Sequence, residues 1–78
     1  MSPEARVVLC TRPGCHLCEE VEVWLLKAGV TWQPVDITAE VALFERHKYR
    51  IPVVEWGGRE VLCAPTTGAD VRRMFTGE

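Results

Sequence analysis

Two cysteines separated by two residues, Cys15-His16-Leu17-Cys18, carry the densest chemistry in the sequence. Sulfurs at this spacing either close a reversible disulfide or ligate a metal, and the element that holds them decides between the two. Arg12-Pro13-Gly14 ends an extended run just before the pair, and apolar residues recur at helical spacing just after it. Cys15 is therefore expected at the first turn of a helix, where unpaired N–H groups and the positive end of the dipole favour a thiolate. A fall in its pKa from about 8.5 to about 7 corresponds to roughly 2 kcal/mol and raises the thiolate fraction at neutral pH from a few per cent to about half. Cys18, one turn on and on the same side, is placed to close a disulfide with Cys15 and to act as the resolving thiol. His16 lends positive charge when protonated, while Glu19 and Glu20 pull the other way.

The elements that must position this pair follow from periodicity. Arg6 to Thr11 reads as a short strand. Leu17, Val21, Trp24, Leu25 and Ala28 then form one wide apolar face of a helix that Gly29 stops. Val30 to Ile37 predicts a second strand, in which Pro34 argues for an edge or an irregularity. Thr38 is the expected N-cap of a helix reaching about His47, with Val41, Leu43 and Phe44 facing a core. Val53–Trp56 and Arg59–Cys63 flank Gly57-Gly58, a composition suited to a tight antiparallel hairpin. Pro65-Thr66-Thr67 opens the last helix, with Thr67 and Asp70 at capping-box spacing and Val71, Met74 and Phe75 as its apolar stripe. The order is βαβαββα, an α/β arrangement: a parallel crossover plus an antiparallel hairpin in a mixed four-stranded sheet, with helices on both faces.

Length and composition narrow the functions open to such a unit. The 78 residues fit one small domain, 1–78, and 47% hydrophobic with 26% charged residues is an ordinary globular mixture. A core this small leaves no room for a large substrate chamber. The formal charge of −2, with basic residues scattered from Arg6 to Arg73, shows no phosphate-tracking stripe, so no nucleic-acid partner is expected. No apolar run approaches the ~18 residues that cross a bilayer, and residues 1–6 lack the apolar centre of a signal peptide. A cytoplasmic, reducing location with no membrane partner is the expectation, and four cysteines there point to redox or metal chemistry, not to a stapled scaffold.

With strand, cysteine pair and helix in place, the segment Thr11-Arg12-Pro13-Gly14-Cys15-His16-Leu17-Cys18 resembles the active-site segment of glutaredoxins and glutaredoxin-like thioredoxin-fold proteins. Ile51-Pro52-Val53-Val54 is similar to the Ile/Val-Pro segment in which that family has a cis proline facing the redox pair. The resemblance, which covers nearly the whole chain, implies a thioredoxin-like fold and thiol–disulfide exchange. It implies Pro13, Gly14 and Pro52 as active-site support, with His16 joining them on the strength of its charge, and recognition of a substrate's backbone at Ile51. It also gives Arg12 the place of a basic residue that meets a glutathione carboxylate. The chain departs from the family between the cysteines, where His16-Leu17 replaces proline and an aromatic residue. It departs again before the last helix, where Cys63-Ala64-Pro65-Thr66-Thr67 replaces a Gly-Gly and an acidic residue that hold glutathione. The last helix's N-terminal amides and the Thr66 or Thr67 hydroxyl remain as sites for a carboxylate. The chain looks like the divergent small glutaredoxin-like group.

The remaining candidates read more plainly. Cys10, in an apolar strand, is expected to be a small buried side chain. Cys63, brought by the family fold near the active site, is a possible third redox thiol set against a buried structural one. His47 reads as a solvated residue near a helix C-terminus, and the three tryptophans as core and sheet cover. The expected activity is that of a monomeric thiol–disulfide oxidoreductase using Cys15 and Cys18. It needs no cofactor or metal; its partners are a protein or small-molecule disulfide and a thiol reductant or reductase, with glutathione as one candidate reductant. The alternative is a zinc or iron–sulfur module built on the same thiols, which would have to draw further ligands from Cys10, Cys63, His16 or His47.

Overall fold

The computed structural model describes residues 6–77, so the signal-peptide reading, which rests on the first residues, falls mostly outside it, as do both ends of the 1–78 domain. The elements are β1 (Val7–Thr11), α1 (His16–Lys27), β2 (Gln33–Asp36), a 3-10 turn (Ile37–Ala39), α2 (Val41–His47), β3 (Val53–Trp56), β4 (Arg59–Cys63) and α3 (Gly68–Thr76). They form the mixed four-stranded sheet and three helices of a thioredoxin-like α/β fold, in strand order β2-β1-β3-β4. β1 runs parallel to β2 and antiparallel to β3, and β3 is antiparallel to β4. Gly57 and Gly58 take φ of 64° and 79°, the two positive values that match a two-residue hairpin to the twist of its strands. No helix among the described residues is long and apolar enough to cross a membrane.

Strand alternation divides the core between the two faces of the sheet. Val7, Leu9 and Val54 point to one face and are buried with Val21 and Leu25 of α1 and Val71 of α3. Trp24, Trp32 and Trp56 cover this cluster, and the Trp56 ring lies 4.8 Å from that of Phe75. Cys10 and Val53 point to the other face, where Ile37 and the α2 residues Leu43 and Phe44 join them. Gly68 packs beneath the Trp24 indole so closely that a Cβ there would stand 3.0 Å from the ring nitrogen. That approach ties the start of α3 to the middle of α1.

Four expectations need correction, each for a local reason. β2 is four residues long and does not reach back to Val30, because the Val30 N–H donates to the Leu25 carbonyl and closes the end of α1. Pro34 does lie on an edge strand. Thr38 does not cap α2: its N–H and hydroxyl both donate to Asp36 Oδ1, at 2.8 and 2.6 Å, making Asp36 the cap of the 3-10 turn. The helix proper starts at Val41, with Glu40 as an N-cap whose side chain makes no capping bond. The stripe that α2 turns to the sheet is Leu43, Phe44 and His47. Val41 lies about 110° round the helix from the centre of that stripe, at 3.6 residues per turn, and is exposed. His47, expected in solvent, is buried to 1% exposure because it is one turn beyond Leu43 on the same face.

Candidate active site at the start of α1

Gly14, at φ 77° with open space where a Cβ would be, turns the chain after β1 so that Cys15 becomes the N-cap of α1. Cys15 is half-buried with extended backbone, and its Sγ accepts the backbone N–H of Cys18 at 3.2 Å. That N–H is one of the donors a helix start leaves without a partner, so the sulfur occupies the place a serine or aspartate oxygen usually fills. Cys18 is in the first turn, 1% exposed. The two are joined as a disulfide, with Cα atoms 5.2 Å apart. Cys15 is thus the more accessible member of the pair and Cys18 the buried one.

The topology gathers the other candidates at the same end of the sheet. Cys10, at the end of β1, pairs with Val53, the first residue of β3, and Val53 pairs in turn with Cys63 at the end of β4. Pro52 therefore lies beside the chain that leads to Cys15; it is buried, and the Ile51–Pro52 peptide is cis. The Ile51 N–H donates to the His47 carbonyl at 3.2 Å. Arg12, Pro13 and Gly14 are exposed in the loop before Cys15. His16 projects into solvent with Nδ1 3.6 Å from Glu19 Oε1.

At the start of α3 both threonines are engaged. Thr67 Oγ1 accepts the Asp70 N–H at 3.2 Å and the Thr67 N–H donates to Asp70 Oδ2 at 3.0 Å, a complete capping box. Thr66 is buried, its hydroxyl 3.5 Å from the same Asp70 oxygen. Asp70 thus supplies an acidic group in this first turn, but its carboxylate is turned to Thr67, Thr66 and, at 3.6 Å, Arg73. These bonds, the Thr67 backbone N–H foremost, hold its carboxyl below the usual range. Cys63 is a free thiol, half-buried against the Val53 cluster.

Sequence reasoning missed one grouping. Cys10 is buried as expected, but its thiol shares the α2 face of the sheet with His47 and Glu55. Burial and the nearby Glu55 carboxylate push that thiol up, with Arg46 opposing. Cys10 and Glu55 stand on alternate residues of paired strands, and His47 shares a stripe with Leu43, so the signal lay in strand register plus helix phase.

Comparisons with known proteins agree with this architecture. Residues 6–76 match the model of the glutaredoxin-like domain (DUF836). A structural-genomics target protein from X. campestris superposes with a TM-score of 0.80 at 28% identity, over 92% of this chain and 97% of that one. A mutant of a thioredoxin-like protein superposes at 0.67 and 18% identity, over 92% and 95%, and speaks to the fold alone. The Gene 56 protein of Mycobacterium phage L5 is 42% identical over 41 residues, 53% of this chain; the match spans 40% of that protein's length.

Proposed function

As the chain belongs to the glutaredoxin-like domain family, a membership that supports a redox role in general, we propose that it is a thiol–disulfide oxidoreductase acting through Cys15 and Cys18. The observation that carries the reading is the asymmetry of the pair: Cys15 at the accessible N-cap of α1, Cys18 buried one turn behind it within bonding reach. In the reduced protein the Cys18 N–H and the helix dipole stabilise charge on Cys15 Sγ.

The Cys15 thiolate attacks one sulfur of a substrate disulfide; the sulfur–sulfur bond breaks and the departing substrate thiolate takes a proton from solvent. Cys18 then gives up its proton and attacks Cys15 Sγ, releasing the second substrate thiol. Two electrons have passed to the substrate, and the Cys15–Cys18 disulfide remains for an external dithiol or reductase to reduce. No cofactor takes part. Pro52 and Ile51 offer the substrate an extended edge, and with the Ile51 N–H already given to His47 the contact falls to the Ile51 carbonyl. Arg12 is exposed in the loop, where it can meet an anionic group. A reducing compartment such as the cytoplasm suits this cycle, and a single chain holds both sulfurs.

Turnover of a small aromatic disulfide in the presence of excess dithiol tests the reading. Cys15→Ser abolishes it, whereas His16→Ala, which removes only an exposed side chain, leaves most of it. Undiminished turnover in Cys15→Ser overturns the proposal.

A further inference from the structure

The Cys10 thiol, the His47 imidazole and the Glu55 carboxylate present one ligand atom each within 4.8 Å of one another, between the sheet and α2. β1 supplies the sulfur, β3 the carboxylate and the last turn of α2 the imidazole. His47 is 1% exposed, yet neither Nδ1 nor Nε2 has a hydrogen-bond partner among the described residues. A buried imidazole with two unsatisfied nitrogens forfeits on the order of 1–3 kcal/mol per group, a cost that native interiors seldom leave standing without a reason. Nothing in the exchange reaction at Cys15 and Cys18 uses this residue.

From this geometry we infer that Cys10, His47 and Glu55 form a binding site for a borderline divalent cation of the zinc type. Thiolate, imidazole and carboxylate together select such an ion over hard cations, which take oxygen ligands throughout. Ligand atoms around a tetrahedral zinc, at about 2.0–2.3 Å from the metal, stand roughly 3.3–3.6 Å apart, so the cluster closes by about 1.5 Å at most on binding. Glu55 is half-exposed and has the rotational freedom to make that movement. It also opens the site to solvent, which supplies a fourth ligand. Binding releases the Cys10 proton, and the resulting thiolate and the carboxylate balance the cation. Arg46 and Arg50 also lie within electrostatic reach of the imidazole or the thiol, and Arg50 is paired with Glu60. The ion would bridge β1, β3 and α2, three elements whose mutual packing sets the end of the sheet beside Pro52. This inference does not depend on the redox reading, since it uses neither Cys15 nor Cys18.

Cobalt titration of the oxidised protein tests it. With Cys15 and Cys18 locked in their disulfide, Cys10 and Cys63 are the free thiols. One Co2+ per chain is expected, giving a thiolate-to-cobalt charge-transfer band that Zn2+ abolishes by displacement. Cys63→Ser keeps the band; Cys10→Ser removes it, and His47→Gln weakens binding by at least about 100-fold, beyond what changes outside the ligand set produce. The inference is overturned by the absence of the band in the oxidised wild type, by its survival in Cys10→Ser, or by its loss in Cys63→Ser. Binding that begins only when the disulfide is reduced, and disappears in Cys15→Ser, overturns it too. Should His47→Gln unfold the chain, the wild-type and Cys63→Ser spectra still decide.

Discussion

Cys15 Sγ accepts the Cys18 backbone N–H at 3.2 Å, so the first cysteine is the cap of the helix that buries the second. The bond joins stability to reactivity: the contact that starts α1 is also one that would stabilise a negative sulfur in the reduced protein. In the reduced protein, alkylation at neutral pH should modify Cys15 at least about tenfold faster than Cys18, following thiolate character and access. Mass-spectrometric mapping after short exposure to iodoacetamide reads the ratio. Faster labelling of Cys18 would reverse the assigned roles.

The contact between Gly68 and Trp24 fixes how α3 meets α1. In Gly68→Ala the new methyl meets the indole at 3.0 Å, and the ring has to shift. A loss of about 1–3 kcal/mol is expected, which for a domain of this size lowers Tm by very roughly 4–20 °C. Thermal unfolding followed by tryptophan fluorescence measures it, and an unchanged Tm would show that the ring moves freely.

The capping box at α3 makes stability depend on acid. Hydrogen bonds from Thr67 hold the Asp70 carboxyl below its unfolded value near 3.9. The native state therefore binds its proton less readily than the unfolded chain. That contribution is complete above the unfolded pKa and is lost as pH falls through the folded one. Asp70→Asn should flatten the acid limb of the stability curve in urea titrations, and Thr67→Ala should cost about 1 kcal/mol at neutral pH. An acid limb of unaltered slope in Asp70→Asn would remove Asp70 from the account.

The same bonds bear on the reductant. A glutathione amino group needs a free anion and its carboxylates need free donors, but Asp70 is turned to Thr67, Thr66 and Arg73. Losing one charge-assisted contact costs roughly 1.5–3 kcal/mol, about ten- to 150-fold in affinity. A protein dithiol or a reductase should therefore reduce the Cys15–Cys18 disulfide at least about tenfold faster than low-millimolar glutathione. Saturable, efficient turnover with glutathione would contradict this.

Most of the architecture was legible because it rests on short-range signals. Alternation marked β1, β3 and β4; the Leu17-to-Ala28 face marked α1; Gly57-Gly58 and the Thr67/Asp70 pair marked a hairpin and a helix start. The cysteine pair was legible for the same reason, since its meaning comes from the strand before it and the helix after it. The region from Val30 to His47 was not. There the outcome turned on competition: Val30 closing α1 instead of opening β2, and Asp36 taking the Thr38 N–H that a longer α2 would have used. His47 reads as solvated from its place near a helix C-terminus, but it is one turn beyond Leu43 on the face that packs against the sheet, and only the tertiary packing of α2 shows which face that is. Its grouping with Cys10 and Glu55 needed the β1–β3 register as well, a relationship between residues far apart in the chain.

The central claim is that Cys15 attacks and Cys18 resolves. Incubating reduced Cys18→Ser with a disulfide-bonded peptide, quenching with acid and weighing the intact protein tests it most directly. The account predicts a long-lived adduct of one peptide chain, mapped to Cys15 and released by dithiothreitol, and no such adduct on Cys15→Ser. An adduct that forms on Cys15→Ser through Cys18, or Cys18→Ser that forms none while the wild type still reduces the peptide, would contradict it.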